Sequence, residues 1–133
     1  MDAREFFAVA ERYRSSQVEA ERRTSVGRSY YALFNVLLGV LSGKGVIFRG
    51  TPDDHYTLIS YLTRAGNKAS ALTGSSLKDL RPERNNADYD MRVMINAKTS
   101  EFVYQKARRA MQQFESISPA DLDLIVERVK AIP

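Results

Sequence analysis

The chain has 133 residues, 44% of them hydrophobic and 27% charged, with a net charge of +4 and no cysteine. That length supports one domain spanning residues 1–133, and on surface scaling ~22,000 Å² of unfolded surface shrinks to ~7,000 Å² on folding, enough for a core without staples. The composition excludes intrinsic disorder, a disulfide framework, a thiolate zinc site and a cysteine nucleophile, while the charge permits an anionic partner without requiring one.

Asp2 and Glu5 have the spacing of a capping box, and Phe6, Ala10 and Tyr13 then recur at helical intervals. This acid-containing start lacks the apolar stretch of a signal peptide, which with the lack of cysteine predicts a cytoplasmic protein. Ser16 with Glu19 forms a second box, opening a long helix over residues 17–41. Its first half, QVEAERRTSVGR, is polar, with Arg22, Arg23 and Arg28 expected on a solvated face or lining a cleft. Its second half, SYYALFNVLLGVL, carries the stripe Tyr30, Phe34, Leu37 and Leu41, flanked by Tyr31 and Leu38. So wide an apolar face calls for several neighbours, making this the central helix. The apolar run over residues 32–41 is broken by Asn35 and Gly39 and is too short to cross a bilayer, so no membrane partner is expected.

The stretch SGKGVIFRG reads as an irregular connection; its GKG lacks the spacer and following Ser/Thr of a phosphate loop. Val46-Ile47-Phe48 is expected to pack on the core as a loop. Thr51-Pro52-Asp53-Asp54 starts a third helix with a hydroxyl cap, a first-turn proline and acids at the positive dipole end. Tyr56, Ile59 and Leu62 are expected inward, and Gly66-Asn67 ends this helix. Asp53, Asp54 and His55 are consecutive and do not converge as a metal site, so His55, the sole histidine, reads as structural or capping.

Residues 66–75 read as a small-residue linker, with Ser75 or Ser76 capping a fourth segment that starts at Leu77. Pro82 costs a helix interior ~3 kcal/mol, predicting a kink or restart near Arg81. Asn96 or Thr99 opens a fifth helix with the stripe Phe102, Val103, Ala107, Ala110, Met111 and Phe114. Ser118-Pro119 opens a sixth, carrying Leu122, Ile125, Val126 and Val129. Five or six helices with short connections make an all-α, antiparallel up-and-down bundle.

Residues 81–90 concentrate arginine, asparagine and aspartate. On a helix, Arg81, Asn85, Asp88 and Arg92 form a ladder, while Arg84, Ala87 and Asp88 share a face. One reading is a salt-bridge face with Tyr89 in the core; the other is a polar cleft whose guanidinium groups hold a phosphate. A helix built for solvent would use Lys and Glu more freely than Asn and Asp, which favours the cleft.

The segments RSYYALFNVLLGVL, DDHYTLISYL and LKDLRPERNNADYDM, in this order and spacing, resemble the HEPN family over residues 17–114. The resemblance implies a HEPN-like helical bundle that dimerises. Many members are metal-independent endoribonucleases of toxin–antitoxin, CRISPR and other anti-phage systems, or partners of small nucleotidyltransferases. The family's motif is an arginine, then a polar residue, then a histidine a few positions on. Arg84-Asn85 match its start, and Tyr89 stands where the shortest spacing places the histidine. That exchange matters, because an imidazole titrates near neutral pH whereas an unperturbed phenol has a pKa of ~10. The implied catalytic set is Arg84 holding the phosphate oxygens, Asn85 orienting it, and Asp88 or Tyr89 in the histidine's place. Arg81 and Arg92 are the implied substrate contacts, with no metal and no cofactor. The implied partners are a second copy of the chain, RNA, and an antitoxin or nucleotidyltransferase. The alternative is a non-catalytic HEPN module that binds a partner protein, such as a nucleotidyltransferase, or a nucleotide.

Overall fold

The computed structural model describes residues 1–133 as six helices and no strand: α1 (Glu5–Tyr13), α2 (Glu19–Gly43), α3 (Asp53–Arg64), α4 (Lys68–Tyr89), α5 (Ala97–Glu115) and α6 (Pro119–Lys130). They form an all-α antiparallel bundle around α2, which packs against α1, α3, α4 and α5; α3 lies along α4, and α6 rests on α3. One core of 27 buried side chains joins all six. Tyr30, Leu33, Leu37 and Leu41 of α2 are wholly enclosed, because four helices cover the apolar half of the central helix.

In the polar half of α2, Arg28 is exposed as expected, but Arg22 and Arg23 are not on a solvated face. Arg23 is only 11% exposed and donates to the carbonyls of Asn86, Ala87 and Asp90 at 3.0–3.1 Å, and to that of Val93. Arg22 donates to the Ile95 carbonyl at 2.7 Å and to that of Ser16 at 3.0 Å. The two arginines therefore tie the start of α2 to the α4–α5 connection, while Arg28 lies over the Phe6 ring.

Several element starts differ from the expected capping. Asp2 accepts from the Arg4 N–H, and Glu5 returns no bond. Ser16 accepts from the Val18 N–H and donates to Glu21, so Glu19 is released to pair with Arg23 at 3.1 Å. At α3 the Thr51 hydroxyl makes no cap; buried Asp54 instead turns back to accept from the Arg49 and Gly50 N–H groups at 3.0 and 2.8 Å. This anchors the preceding loop, in which Val46 is buried and Phe48 packs on the core as expected, whereas Ile47 is 85% exposed. The inward face of α3 is Leu58 and Leu62, whereas Tyr56 is 72% exposed. Phe102 likewise lies outside the α5 stripe. Asn96 and Ser118 cap α5 and α6 as the sequence predicts.

The largest difference lies in α4. Residues 68–75 are helical, and Asn67, expected to end α3, caps α4 by accepting from the Ser70 N–H at 3.0 Å. The small residues are a packing face: a Cβ on Gly74 would come within 2.9 Å of the Thr63 side chain and 3.0 Å of Leu62 Cβ. Ser70 donates to the Leu62 carbonyl at 2.8 Å, so the helices sit nearly backbone to backbone. Weak helix formers are tolerated because tertiary packing outweighs propensity. No restart occurs at Pro82, which sits inside the continuous helix. Between α3 and α4, Gly66 adopts φ +71°, and Arg128 of α6 donates to the Ala65 and Gly66 carbonyls.

Gly74→Leu should therefore destabilise the fold by ~2 kcal/mol in urea denaturation, as overpacking does. Gly39→Ala, whose Cβ meets nothing within 4 Å, should gain up to ~1 kcal/mol from helix propensity. Equal effects at the two positions would refute the close α3–α4 approach.

Candidate functional site

The last turns of α4 meet α2 and the first turn of α3, and Arg84 lies at that junction. Its side chain is 12% exposed. Nη1 donates to Asn85 Oδ1 at 3.0 Å, and Nη2 to the hydroxyls of Tyr31 and Tyr89. The guanidinium lies over both aromatic rings, 4.7 Å from the Tyr31 centroid and 5.0 Å from that of Tyr89. Nε is 3.0 Å from Asp88 Oδ2, an ion pair whose N–H is not aligned for a hydrogen bond. Of the five guanidinium N–H groups, one on Nη1 is left uncommitted beside the buried Nε–H. Both phenols accept from Arg84, so their own protons remain free to donate.

Gly27 makes this arrangement possible. A Cβ there would stand 2.9 Å from Asp88 Oδ1, so the missing side chain on α2 leaves room for the carboxylate that faces Arg84. Asn85 and Asp88 are exposed at the edge of the cluster. Tyr89 is 71% exposed rather than part of the core, because α4 ends there and its ring lies against Arg84.

The expected ladder stops at Asp88. Arg92 lies past the end of α4 and bonds back to Asp90 rather than to the Arg84 cluster. Hydrogen bonds from the Arg92 side chain and backbone hold the Asp90 carboxyl below its usual pKa. Arg81 stays on the helix, makes no ion pair, and acts on its neighbours through charge alone.

His55, assigned by its sequence position to a structural or capping role, is carried to this junction by α3. Its ring stacks on Phe34 at 4.0 Å and meets Tyr31 edge-on at 6.4 Å, so Tyr31 touches both His55 and Arg84. Nδ1 lies 2.6 Å from the Tyr30 hydroxyl. Burial raises the Tyr30 pKa against the opposing charges of Arg81 and Arg84, so the phenol keeps its proton beside Nδ1. Burial, reinforced by Arg81 and Arg84, also lowers the His55 pKa. The sequence signals were its uniqueness and the adjacent tyrosines, but spacing along α3 did not reveal what α2 presents to it. The Tyr30 and Tyr31 hydroxyls are both bonded, while buried Ser29 Oγ has no partner. No three His, Asp or Glu side chains come together to hold a metal ion.

No protein-family model, curated protein or solved structure matches the chain.

Folding lowers the affinity of His55 for a proton, so the unfolded chain binds it more readily. Stability from this group is complete above the unfolded imidazole pKa of ~6.5 and is lost as pH falls toward the folded value. An NMR titration of the His55 ring should give a midpoint below ~6.5, and His55→Gln should flatten this part of the urea midpoint's pH dependence. A midpoint at or above that value would contradict the buried, cation-flanked environment.

Proposed function

We propose that the chain is a HEPN-type domain that binds RNA and cleaves it without a metal ion. The setting implied by the resemblance is a prokaryotic toxin–antitoxin or anti-phage system. The observation carrying this reading is the Arg84 cluster: a guanidinium oriented by Asp88, Asn85 and two phenols, with one Nη1 N–H uncommitted. A preoriented cation with free donors is what a phosphate gaining charge in a transition state requires.

In the proposed reaction the 2′-oxygen of a ribose attacks the adjacent phosphorus, and the bond from phosphorus to the 5′-oxygen breaks. Asp88 takes the proton of the attacking hydroxyl, and Tyr89 gives its proton to the leaving 5′-oxygen. Arg84 and the Tyr31 hydroxyl stabilise the non-bridging oxygens, Asn85 orients Arg84, and Arg81 and Arg92 contact flanking phosphates.

Cleavage of RNA in EDTA should fall by ~10²-fold or more in Arg84→Ala. Tyr89→Phe keeps the ring over Arg84 but lacks the transferable proton, and should lose ~10²-fold. Gly27→Ala should fold at least as well as the wild type, through a helix-propensity gain of up to ~1 kcal/mol, yet cleave more slowly because it displaces Asp88. Absence of cleavage by folded wild-type protein would refute the enzymatic reading.

Tyr89, Met91 and Met94 are exposed around the end of α4. An apolar surface beside a polar site favours coverage by another chain, and we assign a second copy, with the Arg84 region near a two-fold axis. A non-catalytic module docking a nucleotidyltransferase would use the same surface. Light scattering at micromolar concentration should give a dimer, and Met91→Glu with Met94→Glu a folded monomer. A monomeric wild type would remove this assembly.

A further inference from the structure

Beside the Arg84 cluster, a groove of about 510 Å³ runs between α3 and α4. Its size lies within the ~300–1,000 Å³ of small-molecule sites. Of its eight lining residues none is acidic, while Lys78 and Arg81 stand one helical turn apart on its α4 wall. Neither cation has an ion-pair partner, in contrast to Arg84, Arg92 and Lys106. Two unpaired cations in an acid-free groove select an anion.

Two further features narrow the anion. Tyr56 stands on the α3 wall with its ring exposed and stacked on no other aromatic ring, the kind of face on which a base packs. Asn85 commits its Oδ1 to Arg84, which fixes the amide's orientation and leaves both Nδ2 hydrogens to donate. An acidic peptide would match the cations but would leave the exposed Tyr56 ring without a stacking partner.

We infer that this groove seats one nucleotide unit, its base on Tyr56 and its phosphate between Lys78 and Arg81, and that Asn85 joins it to the Arg84 cluster. The inference deepens the RNA reading above and rests on it for the kind of strand that threads past Arg84. The same chemistry is offered by a free nucleoside monophosphate.

The test measures binding of a short fluorescein-labelled 2′-O-methyl RNA by anisotropy. The substrate lacks the attacking hydroxyl, so binding is read independently of cleavage. Tyr56→Ala should weaken binding by about tenfold or more, and Tyr56→Phe should restore it to within about twofold. Lys78→Ala should reduce the salt slope of binding by about 0.7, the value for one phosphate contact on a single strand. Both positions are exposed, and circular dichroism checks that the variants fold. Calorimetry with AMP separates the sources: Tyr56-dependent AMP binding assigns the groove to a free nucleotide, and binding of the oligonucleotide alone assigns it to a strand. Wild-type affinity in both alanine variants, or no binding of either probe, overturns the groove and leaves the Arg84 reading standing. Tyr56-dependent binding without any cleavage of ordinary RNA keeps the groove and sinks the ribonuclease.

Discussion

The arrangement of the site depends on one buried cation. Arg23 enters from the second turn of α2 and its N–H groups meet the carbonyls of Asn86, Ala87, Asp90 and Val93. A helix leaves its last carbonyls without intrahelical donors, and its C-terminal end is negative. Arg23 answers both needs of α4 at once, and Glu19 holds it in place while accepting from the Ile95 N–H. That backbone bond, with Arg23 and Arg22, keeps the Glu19 carboxyl ionised below its usual pKa. The last turn of α4, including Asp88 and Tyr89, is thereby held against α2 rather than fraying into solvent. A carboxylate and a phenol in a frayed turn would hold no fixed geometry around Arg84.

The same interaction explains where sequence reading succeeded and where it failed. The stripes of α2 and of the α5 interior were legible because an apolar side chain carries its need for burial with it. Arg22 and Arg23 were not, because burial of an arginine depends on acceptors that the fold delivers from some sixty to seventy residues away. Residues 68–75 misled for a related reason. Serine, glycine and threonine are poor helix formers in isolation, and only the close approach of α3 makes their small size the requirement. Asn67 showed its role in its side chain, an N-cap, but the adjacent glycine drew attention to the helix it follows rather than the one it starts.

The candidate site divides along the same line. Arg84, Asn85, Asp88 and Tyr89 were visible together because they share one turn and a half of α4. Their supports come from other helices: Tyr31 and Gly27 from α2, and His55 by way of Tyr31 from α3. Nothing in the local spacing marks Gly27, since a glycine inside a helix shows only as a propensity cost until the residue that needs its space is known. The chain's one imidazole also lies in this neighbourhood, bonded to Tyr30 and packed on Phe34.

The charge balance of this junction sets what it can accept. Arg84 has one carboxylate partner and Arg81 has none, and both are near enough to oppose a proton on His55 and to favour ionisation of Tyr30. Burial wins at Tyr30, so no phenolate forms to neutralise the cations, and His55 stays neutral rather than adding a third. The excess positive charge is left on two guanidinium groups one turn apart, with Asn85 beside both: its carbonyl turned to Arg84 and its amide to the groove that Arg81 lines. An amide so oriented presents donors on the side where the protein supplies no acid. A ligand that carries repeated negative charge, spaced by groups able to stack and to share hydrogen bonds, matches both halves of that surface at once; an isolated anion matches only one.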